Sequence, residues 1–152
     1  MELADLMNTS VLSVTPDTTL AEAAHRMVDH DTGAACVVDG DQLIGVISER
    51  DLLRVLAQGF DPDLNVSDRM VANVLTASAT TSLPEAMAIM VDGHFRHLPV
   101  VNADGHVIGM ISMRDLMAYT SLRLRGGHLG AGDDLDPAEV IATIFRMRTG
   151  AA

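Results

Sequence analysis

Two short runs hold most of the chemistry in this sequence. Ser48-Glu49-Arg50-Asp51 and Ser112-Met113-Arg114-Asp115 each place a hydroxyl three residues before a carboxylate, with an arginine between them. Asp51 and Asp115 are acceptors suited to two adjacent hydroxyl donors, such as those of a ribose. Ser48 and Ser112, at a helix start with unpaired backbone N–H groups, offer the donors that a phosphate needs. Ser-x-x-Asp at a helix start is also an ordinary cap, and capping and binding are compatible. Arg50 and Arg114 sharpen the question, because a cation on the first turn of a helix opposes the macrodipole. Phosphate contact is one reason for such an arginine; a solvated side chain paired to Glu49 or Asp51 is the other.

The elements that position these residues come from an internal repeat. Met7, Val11, Leu12, Thr18, Leu20, Glu22, Ala23, Met27, Val28 and Asp29 recur as Met70, Val74, Leu75, Thr81, Leu83, Glu85, Ala86, Met90, Val91 and Asp92. After one extra residue in the second turn, the run from Leu43 to Leu53 recurs from Val107 to Met117. In each copy apolar residues fall at helical spacing: Leu20, Ala23, Ala24, Met27 and Val28, then Leu83, Ala86, Met87, Met90 and Val91. Thr19-x-x-Glu22 and Ser82-x-x-Glu85 predict capping boxes at their starts. Two short strands joined by an Asp/Gly turn follow, Ala35–Val38 with Leu43–Ile47 and Leu98–Val101 with Val107–Ile111. A second helix begins near Ser48 and near Ser112. The repeat therefore reads β-α-β-β-α, an α/β (α+β) unit of about sixty residues that cannot cover its own sheet, so two copies close one core together.

The copies span residues 1–62 and 63–121, leaving 122–152 as a different segment. Arg125–Gly132 reads as a glycine-rich connector, and Asp136-Pro137-Ala138-Glu139 starts a short helix with Val140, Ile141, Ile144 and Phe145 on one face. A helix that short needs something to dock on.

Composition sets the outer limits. Ten basic residues, all arginine, face 21 acidic ones, for a formal net charge of -11. So acidic a chain is poorly suited to nucleic acid or to an anionic membrane surface. With no lysine, neither a Schiff base nor a P-loop lysine is available. Cys36 is the single cysteine and lies in the apolar run Ala34–Val38, where burial is the expected state. No run approaches a membrane span or a signal peptide, which makes a cytoplasmic setting the expectation. The histidines lack the spacing of a metal site, and no base–nucleophile pair suggests an enzyme.

Gly45-Val-Ile-Ser48-Glu-Arg50-Asp51 and its echo Gly109-Met-Ile-Ser112-Met-Arg114-Asp115 resemble the signature of CBS domains. The resemblance extends over about residues 3 to 120 and takes in the Val-Thr-Pro-Asp-Thr-Thr-Leu lead-in and the Arg-His-Leu-Pro-Val-Val strand. It implies a tandem pair (a Bateman module) with the two pseudo-symmetric repeats packed sheet to sheet. It also implies a cleft between them for AMP, ADP or ATP, with S-adenosylmethionine or NADH as further options. The implied role is regulatory, in a homodimer that controls a separate protein, with no catalytic cofactor or metal. A structural dimerisation module with an empty cleft is the competing expectation.

In such pairs the strand of one repeat completes the site whose serine and aspartate come from the other. Carried over, one site joins Ser48, Arg50 and Asp51 to Ser78, Phe95, Arg96 and His97. The second joins Ser112, Arg114 and Asp115 to Thr15, Thr32 and Ala34. Arg96 and His97 are the added candidates for phosphate contact, so the first site is expected to hold phosphorylated ligands more tightly. Cys36 stands where the family often has proline.

Overall fold

A computed structural model describes residues 1–59, 61 and 63–126, the last three by backbone alone. The 136–148 helix and most of the connector expected before it lie outside the described residues. Four helices are set by the periodicity and by their caps. α1 (Leu20–Asp29) starts at Thr19, whose hydroxyl accepts from Glu22 N at 3.2 Å. The Glu22 carboxylate does not turn back to complete a box; Arg26 Nε, one turn on, holds it at 2.7 Å. α3 (Leu83–Asp92) starts at Ser82 with proline in its first turn. Leu20, Ala23 and Met27, and likewise Leu83, Ala86 and Met90, are buried. Val28 and Val91, the last members of the two expected stripes, stand 78% and 56% exposed, so each buried face is narrower than the sequence pattern. α2 (Glu49–Ala57) and α4 (Met113–Gly126) follow the two Ser-x-x-Asp caps. α4 runs on through Arg125 and Gly126, where the sequence suggested the connector had begun.

The strands make two sheets. β2 (Ala34–Asp39) and β3 (Gln42–Ser48) form an antiparallel hairpin whose turn uses Gly40 at φ +60. β1 (Ser13–Val14) adds in parallel to β2, and β4 (Val71–Ala72) adds antiparallel to β3, in the order β1-β2-β3-β4. β5 (His97–Val101) and β6 (Val107–Ser112) form the second hairpin. Its flanks are completed by single bridges, Ala77 to Val100 in parallel and Asn8 to Met110 antiparallel.

The lead-ins therefore change places. β4 precedes the second helical repeat in the chain yet extends the first sheet, while Asn8, at the start of the chain, pairs with β6. Each motif glycine makes that crossing fit. A Cβ at Gly45 would lie 2.6 Å from Met70 Sδ and 2.9 Å from the Val71 carbonyl oxygen, and a Cβ at Gly109 would collide with Met7 Sδ. Short helical turns at Leu3–Asp5 and Val66–Asp68 dock the same way, Leu3 N donating to Thr81 O at 2.9 Å and Val66 N to Thr18 O at 2.8 Å.

Burial follows the crossing. Leu3 and Leu6 pack with Leu83, Ala86, Met90, Leu98, Ile111 and Leu116, whereas Val66 packs with Leu20, Ala23, Ile47 and Val55. Each fully buried leucine, isoleucine or methionine contributes roughly 1.5–3 kcal/mol. A third cluster of Ala34, Cys36, Val46 and Met110 is the seam where the two sheets meet. Cys36 is fully buried there, and burial pushes its thiol up to about 12. The chain is thus a mixed α+β fold of two like units joined face to face.

Candidate functional site

Both Ser-x-x-Asp runs are built as complete caps. Ser48 N and Oγ donate to Asp51 Oδ2 at 2.9 and 2.7 Å, and Asp51 N returns to Ser48 Oγ at 3.4 Å. Ser112 and Asp115 repeat this at 2.9, 2.6 and 3.2 Å. The aspartates are the buried charged residues of the described chain, 8% and 3% exposed. One carboxylate oxygen of each is thus committed to the cap. Asp51 Oδ1 is turned toward Arg54 Nη1 at 3.6 Å, on the side that faces a cleft.

That cleft measures about 350 Å³ and opens between the repeats. Ser48, Arg50 and Asp51 line it from the first repeat, and Phe95, Arg96 and His97 from the second. Six residues of the first expected site therefore share one cavity wall. Ser78 does not: it is exposed, and its hydroxyl is held by Thr80 and Thr81 at 3.1 and 3.2 Å in the turn before α3. Val46, Val71, Val74 and Leu75 supply an apolar wall, with Asn73, Arg54, Gly93 and His94 completing the lining. Apart from Val46 of β3, the apolar wall comes from β4 and the residues after it, the segment that crosses to the first sheet. Sequence reasoning missed it because its position depends on that crossing, though the bulk required to fill the space above Gly45 was a signal.

The end of α3 aims the arginine and histidine. His94 takes φ +57, a left-handed conformation that histidine tolerates better than branched residues. Phe95 N closes back to Met90 O at 3.1 Å and His94 N to Val91 O at 3.2 Å, a Schellman-type stop that turns the chain into β5. Asp31, at φ +47, ends α1 in the same manner.

Across the cleft the repeats are tied by two arginines. Arg96 Nη2 pairs with Glu49 Oε1 at 3.2 Å, and Arg50 Nη1 donates to His94 O at 3.4 Å. Arg50 therefore does not follow the expected pairing with Glu49 or Asp51, because those carboxylates are engaged by Arg96 and Arg54. His97 is half-buried and packs over Gly33, where a Cβ would lie 3.1 Å from its Cε1. Burial holds the His97 imidazole below its usual pKa; Arg96 adds to this, and Glu49 and Asp115 oppose it.

The second set likewise draws on both repeats. Ser112 lies opposite His97 in the β5–β6 register. Ala34 is buried in the seam, and its carbonyl oxygen accepts from Thr32 Oγ1 at 3.1 Å. Thr15 is exposed; its hydroxyl bonds to Asp17 and to Thr18 in the turn before α1. Arg114 is exposed on the first turn of α4. Among the described residues no group of histidine, cysteine, aspartate and glutamate is arranged to hold a metal ion. No described helix is long and apolar enough to cross a membrane.

The family model for the CBS domain matches twice, at residues 3–58 and 66–121. The chain belongs to the CBS domain family. It is 35% identical over 113 residues to a CBS domain-containing protein of Bacillus subtilis, covering 74% of this chain and 80% of that one. A CBS-domain containing protein from Agrobacterium tumefaciens has a similar structure, with TM-score 0.72 and 32% identity, covering 77% of this chain and 97% of that one. A CBS domain protein from Pyrobaculum aerophilum complexed with AMP gives TM-score 0.76 at 26% identity, covering 82% and 97% of the two chains. As a CBS pair, the molecule has its crossed lead-ins, its seam and its inter-repeat cleft in one frame.

Proposed function

We propose that this CBS pair is a regulatory module that binds an adenine nucleotide (AMP, ADP or ATP) in the cleft lined by Ser48, Arg50, Asp51, Phe95, Arg96 and His97. One observation carries the reading: both repeats contribute to a single cleft that combines a buried carboxylate, several arginines and an apolar wall. A carboxylate accepts from ribose hydroxyls, arginines meet phosphate, and an apolar slot suits a purine ring. The AMP complex of the Pyrobaculum aerophilum relative supports the ligand class. The second set, Ser112, Arg114, Asp115, Thr15, Thr32 and Ala34, is the weaker site for phosphorylated ligands. Because the cleft lies between repeats, occupancy biases how they are held together, and that bias reaches a partner protein in the cytoplasm through a homodimer. S-adenosylmethionine and NADH are the other ligands to test.

The completeness of both caps favours a second reading, a structural dimerisation module whose Ser-x-x-Asp runs do nothing but start helices. Thermal unfolding with AMP, ADP, ATP, S-adenosylmethionine and NADH separates the two. A ligand at 100 times its Kd adds about 2.7 kcal/mol. That shift should vanish in Asp51→Ala and persist in Asp115→Ala, each compared with its own ligand-free value because losing a cap itself costs about 1 kcal/mol. No shift with any ligand at millimolar concentration overturns the sensor reading.

A further inference from the structure

Beside the cleft, outside its lining, stands a carboxylate that holds one of the cleft's arginines. Glu49 stands beside Ser48 at the start of α2 and reaches across to Arg96 on the other repeat at 3.2 Å. Both side chains are about half exposed, 52% for Arg96 and 60% for Glu49, so water and ions reach the pair. Glu49 is fixed near this place by its backbone, since Glu49 N donates to Gly33 O at 3.0 Å. The corresponding position in the second repeat is Met113, whose backbone N–H donates to Arg96 O at 2.8 Å and whose side chain carries no charge. Met113 has no charge with which to form the equivalent pair, and of the Glu49–Arg96 pair it is Arg96 that lines the cleft.

We propose that Glu49 is a specificity-determining residue. It holds the Arg96 guanidinium and yields it to an anionic group, so the cleft discriminates ligands by the charge they bring to Arg96. The proposal rests on the adenine-nucleotide reading of the same site. An exposed ion pair is weak and readily exchanged, and a phosphate offers the guanidinium at least as much charge in a bidentate geometry. A neutral nucleoside has nothing to exchange and leaves the Glu49–Arg96 tie closed. Phosphorylated ligands open the tie between repeats and unphosphorylated ones do not, which makes occupancy by the two classes structurally different.

Calorimetric titration of the full chain with AMP and with adenosine tests this. Glu49→Gln should tighten AMP two- to fivefold and leave adenosine within error of the wild type. Arg96→Ala should weaken AMP, and in that background Glu49→Gln should have no further effect, because the competition runs through Arg96. Equal gains for adenosine and AMP would overturn the proposal, as would a gain for AMP that survives in Arg96→Ala, the mark of a general loss of negative field. AMP binding unaltered by Glu49→Gln overturns it while leaving the nucleotide reading intact. Failure of the wild-type chain to bind AMP at all overturns both.

Discussion

His97 shows how much one side chain depends on its surroundings here. It lines the cleft, packs over Gly33, lies opposite Ser112 in the sheet and feels both Glu49 and Asp115. Burial first, then Arg96, depresses its pKa in the folded chain, so the unfolded chain binds the proton more readily. By linkage, the stability that depends on a neutral imidazole is present above the unfolded value of about 6.5 and is lost as the pH falls through and below it. Melting temperatures measured from pH 7.5 to 5 should fall, and the fall should be shallower in His97→Gln. Equal slopes would show that the ring takes its proton as easily folded as unfolded. At this scale the sequence was partly legible. Ser-x-x-Asp announced the two caps, and Phe95-Arg96-His97 marked the departure from the first repeat. The partner of Arg96 was not readable, because Glu49 lies 47 residues away in the chain and only folding brings the two together.

Among the elements, the motif glycines are the most exacting. Gly45→Ala would set a methyl group against Met70 Sδ and the Val71 carbonyl oxygen. The thioether can swing aside; a carbonyl in β4 cannot without disturbing the ladder. Overpacking of this kind costs about 1–3 kcal/mol. Urea unfolding should register that loss, and Gly45→Ala combined with Met70→Ala should recover only the part due to the sulfur. Full recovery would mean that the backbone contact is slack. Helices and hairpins were legible from local signals: the Leu20–Met27 spacing, Thr19 and Ser82 as caps, and turn glycines such as Gly40. The placement of Val71–Ala72 beside Gly45–Val46 was not. Periodicity describes which face of a segment is apolar, but two-residue strands have too little pattern to choose between neighbours.

For the whole molecule, the unfinished business lies on the helices. Val28, Leu53, Leu56, Val91 and Met117 are between 56% and 78% exposed and are spread over α1, α2, α3 and α4. A second copy of the chain is the proposed cover. Two chains of charge -11 repel each other, so sedimentation should show more dimer as ionic strength rises. Leu53→Glu with Met117→Glu should leave monomers with an unchanged circular dichroism spectrum. A wild-type chain that stays monomeric at tens of micromolar and high salt would remove dimerisation from the proposed function. The crossing of the lead-ins has its own consequence, in time rather than in space. Asn8 pairs with Met110, and Leu3 and Leu6 bury themselves among residues from Ala77 to Leu116. During synthesis those partners emerge roughly 100 residues after the segment that needs them, about 5–20 s at ordinary elongation rates. Until then the segment from Leu3 to Asn8 has no place to go, and it is among the last parts of the fold to settle.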